Sequence, residues 1–232
     1  MAGVTARGMD PRTSLVRFGL PAIAAGVVIG GTLPGLVSGV LAASPTSLPW
    51  LFERLFAWLA YLTMTLSVVY GLVLSTKLLD AIAHRPVSFA LHQDLAVAGL
   101  AMAALHAGLL SLDASMPFTL AGLLVPGASP YAPLAVGAGQ VALYLAAIVT
   151  ASFHVRRRIG QRAWRALHLV TFLSFAGATA HGIAAGTDSS QAWAQWIYLG
   201  SLGTVAFLVV YRIGLVLAAR LGRRARLVAP AT

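Results

Sequence analysis

Four histidines lie within two long apolar stretches of the sequence. His92 and His106 belong to the first stretch, and His168 and His181 belong to the second. Ionisable side chains are rare in apolar segments of membrane-spanning length and are usually functional there. One such histidine is explained by a hydrogen bond to a neighbouring helix, but two on each of two helices are not. One imidazole from each of two helices is what bis-histidine haem ligation requires, so the pattern predicts two haem sites.

The spacing of the histidines predicts how they pair. His92 and His106 are 14 residues apart, so on an α-helix they face nearly the same way and stand about 21 Å apart along the axis. His168 and His181 are 13 residues apart, which corresponds to about 20 Å. Because the topology below predicts that the two helices run in the same direction, each level of the membrane receives one imidazole from each helix. The inner pair is His92 with His168, and the outer pair is His106 with His181.

The 13-residue step does not fit an ideal helix. It rotates the second histidine about 140° away from the face of the first. We therefore expect this helix to be locally overwound or kinked, with Gly177 and Ser174 easing the distortion, or the two haems to lie at different azimuths.

The composition indicates a chain embedded in lipid. Of the 232 residues, 59% are hydrophobic and 9% are charged, whereas a water-soluble domain carries about 25% charged residues. The sequence contains no cysteine, which excludes thiolate-bound iron–sulfur clusters and the covalent attachment of c-type haem. The expected cofactors are therefore two non-covalently held haem b groups.

Six segments are long and apolar enough to cross a bilayer, which requires about 20 residues. The predicted fold is an all-α membrane protein, a six-helix bundle with two haems stacked across the bilayer between helices 3 and 5. It forms a single domain over residues 1–232, with an N-terminal tail 1–17 and a basic C-terminal tail 220–232. The first segment resembles a signal peptide, but its apolar run exceeds the usual 7–15 residues, so we interpret it as a span. The predicted spans are 18–42, 55–76, 88–111, 134–154, 166–186 and 195–219.

The basic residues predict the orientation of this bundle. With these spans, every Lys and Arg except Arg54 falls on one side of the membrane. Cytoplasmic loops carry the positive excess, so we expect a multi-pass protein of the inner (plasma) membrane with both termini in the cytoplasm. The net charge of +10 then reflects topology and contact with anionic lipid, and no nucleic-acid partner is predicted. The long loop 112–133 is external and is expected to cap the bundle.

Haem propionates need cationic partners. Arg162, Arg165 and Arg85 are candidates at the inner level, and Arg54 is the candidate at the outer level, since a guanidinium fork suits a carboxylate. The alternative for Arg54 is a surface pair with Glu53 or a solvated position at the rim.

Two further residues lie close to the predicted ligands. Gly99 is seven residues from both His92 and His106 and either lets a porphyrin edge approach the helix or serves helix packing. Asp94, the one acid within a predicted span, is expected to pair with Arg85 or Arg162, the alternative being that it helps an electron donor to dock.

The histidine pattern resembles a known superfamily. H-x13-H in one span and H-x12-H in another, together with the W-R-x-L-H run from Trp164 to His168, resemble the ferric reductase-like transmembrane domain. That superfamily includes NADPH oxidases, ferric reductases and the haem-binding subunit of the bacterial methionine sulfoxide reductase system. The resemblance covers spans 2 to 6. It implies that His92 and His168 are the inner haem ligands, that His106 and His181 are the outer ones, and that Arg54 matches an arginine near the outer haem of the oxidases.

The sequence also departs from that superfamily. No FAD- or NADPH-binding domain is recognised after the last span. Ser174 stands near the place of the oxidases' aromatic residue between the haems, with Phe175 next to it. His92 is present, whereas the methionine sulfoxide reductase subunit often lacks the inner histidine of the third helix.

The function expected from these features is transmembrane electron transfer by an oxidoreductase component. The donor would be a separate flavin reductase or a quinol, and the external acceptor a ferric chelate, oxygen or a periplasmic redox protein. One alternative is a haem-binding membrane anchor subunit of a larger redox complex. Another, of a different class, is a haem-free metal or solute carrier, although the spans hold few of the charges that a carrier would need.

Overall fold

The computed structural model describes residues 48–76, 84–112 and 118–228. Within these ranges every regular element is helical, which confirms the all-α class. The predicted first span, 18–42, and the N-terminal tail lie outside the described residues. The elements are α1 (Leu48–Thr76), α2 (Arg85–Leu109) followed by a 3₁₀ turn (Leu110–Leu112), α3 (Leu120–Leu124), α4 (Pro133–Ile159), α5 (Gln161–His168), α6 (Val170–Ala185) and α7 (Ala192–Val228).

Five helical segments of the described chain are long and apolar enough to cross a membrane. They correspond in order to predicted spans 2 to 6, and α5 and α6 together form the fourth of them. Their ends extend beyond the predicted ones because helical hydrogen bonding continues into the polar flanks that an apolar window leaves out. The segments are Trp50–Thr76, Arg85–Leu112, Pro133–Ile159, Gln161–Ala185 and Ala192–Gly222.

Local sequence explains where several helices begin. Proline stands in the first turn of α2 and of α4, where its missing N–H costs no helical hydrogen bond. Thr119 caps α3 by accepting a hydrogen bond from the Gly122 N–H at 3.0 Å. Gly160 lies between α4 and α5 and has a φ of 83°. This left-handed backbone conformation is disfavoured for residues other than glycine. This glycine lets the chain reverse direction, so α4 and α5–α6 run antiparallel.

The described bundle consists of two closely packed helix pairs. Helix α1 packs along α2, α4 packs along α6, and α7 lies against α1. An aromatic and aliphatic core joins α1, α6 and α7, with Trp58, Tyr61, Phe175 and Tyr198 at its centre. Helix α2, by contrast, makes only sparse contact with α5 and α6. The two histidine-bearing segments are thus held apart by their neighbours, and a cavity lies between them.

The outer surface of the bundle is apolar, as a lipid-facing surface requires. Large apolar side chains such as Leu199 and Phe207 on α7 are 60% and 68% exposed. Helix α7 has 37 residues and is therefore about 55 Å long, which exceeds the hydrocarbon thickness of about 30 Å. The helix is therefore longer than a single crossing of the apolar layer needs.

The helix that carries His168 and His181 is interrupted directly after His168. Leu169 separates α5 from α6, and the Leu169 N–H donates to the Ala166 carbonyl at 3.2 Å. The Phe172 N–H donates to the Leu169 carbonyl at 3.1 Å. Bonds over three residues tighten the helix to about three residues per turn. The helix is therefore tightened locally at Leu169, whereas the sequence placed the expected distortion near Gly177 and Ser174.

Candidate functional site

The structure brings the four membrane histidines together in two pairs. The ring centroids of His92 on α2 and His168 on α5 are 6.0 Å apart, with the ring planes at 81°. The centroids of His106 on α2 and His181 on α6 are 6.2 Å apart, with the planes at 65°. These are the two pairs that the sequence predicts to share a level.

The separation within each pair fits a shared metal ion. Metal–imidazole bonds are about 2 Å long, so two imidazoles on opposite sides of one ion hold their ring centroids about 6 Å apart. Other groups contact the Nδ1 atoms of three of the four rings. The Nε2 atoms of these rings are therefore the ones left to bind an ion.

A backbone carbonyl orients each of these three rings. Nδ1 of His92 lies 2.8 Å from the Ser67 carbonyl oxygen and 3.2 Å from the Ser67 hydroxyl. Nδ1 of His181 lies 2.9 Å from the Ala135 carbonyl. A carbonyl oxygen only accepts, so Nδ1 carries the hydrogen, and in the neutral ring Nε2 is left with a free lone pair. This is the tautomer and the fixed orientation that metal-binding histidines have.

His106 is held in the same way, with a carboxylate added. Its Nδ1 lies 3.2 Å from the Glu53 carbonyl oxygen and 2.8 Å from the Glu53 carboxylate. His168 has a different support, because its ring stacks on Trp164 with centroids 5.1 Å apart and planes at 25°. The sequence singled out Trp164 as part of a motif but did not predict this contact.

Two glycines allow the imidazoles to reach the carbonyls of neighbouring helices. A Cβ atom on Gly71 would lie 3.1 Å from Cε1 of His92, and one on Gly139 would lie 2.6 Å from Cγ of His181. Each glycine follows the accepting residue, Ser67 or Ala135, by four positions, so it lies one turn along the same helix face. The absence of a side chain there leaves room for the ring.

Gly99 lines the cavity and also makes a close contact with α1, which agrees with the packing role among its two predicted roles. A Cβ atom at Gly99 would lie 3.1 Å from Oγ1 of Thr63 and 3.3 Å from the Met64 backbone nitrogen. Its small size therefore lets α1 and α2 approach closely. The glycines that face the histidines are those of the neighbouring helices, Gly71 and Gly139.

All four histidines line one cavity of about 1150 Å³. Pockets for a single small molecule measure about 300–1,000 Å³, so this space suits a larger or a second group. Two buried polar atoms of its lining, Oε1 of Gln140 and Nε1 of Trp164, have no hydrogen-bond partner within the described chain. Buried polar atoms are nearly always paired, so a bound group with polar substituents fits this lining.

Arg54 reaches the outer part of the cavity, but it already has an acidic partner. The arginine is 6% exposed and its guanidinium forms an ion pair with Asp188. Trp58 donates to the same carboxylate at 3.1 Å. The burial of Arg54 rules out the predicted alternative of a solvated rim residue. Asp188 was not identified from the sequence, although it is an acid directly after the fifth predicted span, on the side that holds the isolated cation.

The other predicted cationic and acidic residues lie at or outside the edge of the cavity. Arg162 and Arg165 on α5 are exposed and do not contribute to its lining. The Arg165 Nε donates instead to the Gln161 carbonyl at 3.3 Å. Asp94 is exposed but lines the cavity close to His92. The structure therefore does not bring Arg162 or Arg165 to the histidines.

The described part of the loop between α2 and α4 packs over the end of the cavity that holds His106 and His181. Gln140 on α4 donates to the Gly122 carbonyl of α3 at 2.7 Å. The Tyr131 hydroxyl donates to the Ala185 carbonyl at the end of α6, at 3.0 Å. Residues 118 to 132 thus cap the bundle, as the sequence predicts.

The described residues contain no group of three or more His, Cys, Asp or Glu side chains that would hold a metal ion by themselves. A haem iron takes four ligands from its porphyrin and one or two from the protein, so paired histidines are the relevant arrangement for it.

Comparison with known proteins identifies one family. Residues 48–188 match the family model described as a domain of unknown function (DUF8596). This range includes all four histidines of the cavity, Glu53, and the Arg54–Asp188 ion pair. No curated protein and no solved structure matches the chain.

Proposed function

We propose that this chain, which belongs to the family described as a domain of unknown function (DUF8596), is a membrane cytochrome with two haem b groups that carries electrons across the bilayer. The proposal rests on one observation, the arrangement of the four histidines in two pairs. Each has its ring centroids about 6 Å apart, as ligation of one iron by two imidazoles requires. The ring distances are 6.0 and 6.2 Å.

The residues of the chain have distinct tasks in this proposal. His92 and His168 would bind the inner group, and His106 and His181 the outer one. The Ser67 and Ala135 carbonyls keep Nδ1 protonated and Nε2 free, so the ligands are oriented before the cofactor enters. Loop residues Gly122 and Tyr131 bond to the outer ends of α4 and α6 and limit access of water from outside.

When bound, haem supplies one-electron chemistry at iron, and two groups at different depths divide the bilayer into two shorter transfer steps. The proposed role is therefore that of an electron-transfer component of an oxidoreductase system. It agrees with the resemblance to the ferric reductase-like transmembrane domain.

The proposed direction of transfer is outward. With the positive-inside orientation, His92 and His168 lie on the cytoplasmic side in the inner membrane. Moving an electron out of a negative cytoplasm is aided by about 2.3 kcal/mol per 100 mV. A separate flavin reductase or a quinol would supply the electron, and a ferric chelate, oxygen or a periplasmic redox protein would accept it.

Alanine substitution of the ligands tests the site assignment. His92→Ala or His168→Ala should remove one of two spectrally distinct b-type haems, and His106→Ala or His181→Ala the other. His84→Ala is the matched control, because this exposed histidine lies outside the cavity lining and its loss should leave both haems in place. Reduced-minus-oxidised difference spectra with haem quantitation are the readout. Retention of both haems in His106→Ala and His168→Ala would contradict the assignment.

A further inference from the structure

The carboxylate of Glu53 distinguishes the outer histidine pair from the inner one. Its Oε1 lies 2.8 Å from Nδ1 of His106, and the contact is largely shielded, with 14% and 19% of the two side chains exposed. The Glu53 carbonyl oxygen lies 3.2 Å from the same nitrogen. The Nδ1–H of His106 is therefore shared between a neutral and a charged acceptor of one residue.

The other described Nδ1 contacts are with neutral groups. His92 contacts the Ser67 carbonyl and hydroxyl, and His181 contacts the Ala135 carbonyl. Hydrogen bonds in which one partner is ionised are roughly twice as strong as those between neutral groups. Only the outer pair, within the described chain, has a ligand supported in this way.

The neighbouring residue Arg54 is engaged elsewhere, which leaves the Glu53 carboxylate available to His106. The Arg54 guanidinium and the Trp58 indole both donate to Asp188. Two adjacent residues of α1 thus point in different directions, one to the loop after α6 and the other to the ligand on α2.

We infer that Glu53 is a positioning residue that lowers the reduction potential of the outer haem through its hydrogen bond to His106. This inference rests on the proposed di-haem function. A carboxylate that draws the Nδ1 proton makes the imidazole a more basic ligand, and a more basic, more negative ligand stabilises ferric over ferrous iron. The outer site then gives up its electron to an external acceptor more readily than it would with neutral support alone.

Redox titration of the full-length protein tests this role. Glu53→Gln keeps the shape and the Nδ1 acceptor but removes the charge, so the midpoint potential of one haem should rise while both haems remain bound. We expect at least a tenfold change in the ferric-to-ferrous equilibrium, which equals about 59 mV for one electron. Arg157→Gln on α4 is the control, because it removes one charge at an exposed position outside the cavity lining and should leave both midpoints as in the wild type.

Variants that should retain a single haem show which haem responds to Glu53→Gln. In His92→Ala, where only the outer haem should remain, Glu53→Gln should shift the single midpoint. In His106→Ala it should shift nothing. The electron paramagnetic resonance signal of the ferric outer haem should also change, because it depends on ligand basicity, whereas loss of a distant charge would move the potential alone.

The outcomes separate this inference from the proposed function. A wild-type chain without haem would refute the function itself. Two bound haems whose midpoints and resonance signals are the same in Glu53→Gln and wild type would overturn the role of Glu53 alone. If Glu53→Gln fails to retain the outer haem, the titration is made on Glu53→Asp, which keeps the charge but lengthens the contact. A raised outer midpoint there supports the inference, and an unchanged one overturns it.

Discussion

Gly139→Ala should damage the outer site, although alanine is the better helix former. A Cβ atom at this position would lie 2.6 Å from Cγ of His181 and 2.7 Å from its Nδ1. Carbon atoms make favourable contacts at about 3.5–4.0 Å, so the added methyl overlaps the ring by about 1 Å. The His181 ring must then leave the Ala135 carbonyl, to which its Nδ1 now donates at 2.9 Å, or α4 must move away from α6.

The net effect follows from two opposing contributions. Replacing glycine by alanine within a helix ordinarily stabilises it by about 0.5–1 kcal/mol. Forcing an extra methyl into a packed contact costs about 1–3 kcal/mol. The clash prevails, and we expect a net loss of about 1–2 kcal/mol at the outer site. Such a loss corresponds to about 5- to 30-fold weaker retention of the haem that we propose His181 binds.

The assay is haem content per chain together with the melting temperature in detergent. Gly203→Ala on α7 is the matched control, because a Cβ there would have no neighbour within 4 Å. The control should keep both haems and melt at the same temperature or slightly higher. A Gly139→Ala protein that binds two haems and is stabilised as much as Gly203→Ala would refute the reasoning.

Three further predictions concern residues around the cavity. Asp188→Asn should lower the melting temperature markedly, because breaking one side of a buried ion pair costs about 3–5 kcal/mol. If the two residues are coupled, Arg54→Met should destabilise the protein equally and the double variant should show no further loss, whereas additive losses would contradict the coupling. Trp164→Ala should weaken binding of the inner haem two- to tenfold, since an aromatic stack such as that on His168 contributes about 0.5–1.5 kcal/mol. Trp164→Phe should retain this haem, and equal haem loss in both variants would show that stacking is not the cause. Arg162→Gln should leave haem content unchanged because its side chain is exposed outside the cavity, and loss of the inner haem in this variant would restore its predicted role at a propionate.

The features predicted correctly from the sequence are those that a single helix determines. Apolar length predicts all five spans that lie within the described chain. The spacing of His92 and His106 along α2 predicts that each of them meets a partner at its own depth. The spacing of 13 residues also indicated a departure from the ideal helix, but it did not predict that the tightened turn lies at Leu169.

The features that the sequence did not reveal depend on which helices become neighbours. The carbonyls of Ser67 and Ala135 orient the histidines, but backbone acceptors leave no mark in the sequence. Small residues four positions later, Gly71 and Gly139, are the available signal, because small residues mark places where membrane helices approach closely. Gly99 carries the same signal but serves the contact between α1 and α2.

The predicted propionate partners show the same limit. Arg54 stands out in the sequence as the one cation predicted on the side opposite the other basic residues, yet its pairing with Asp188 requires the loop after α6 to fold back onto α1. Arg162 and Arg165 lie close to His168 in sequence, but α5 presents them on its exposed side. Proximity along the chain predicts depth in the membrane well and the direction of a side chain poorly.

The haem content of the purified full-length chain tests the proposed function most directly. Haem extracted and quantified against protein, together with a reduced-minus-oxidised visible spectrum, should give two haem b groups per chain with the spectrum of two-histidine ligation. A stoichiometry of one would contradict the two-level arrangement. A colourless protein with its fold intact would contradict the haem assignment altogether.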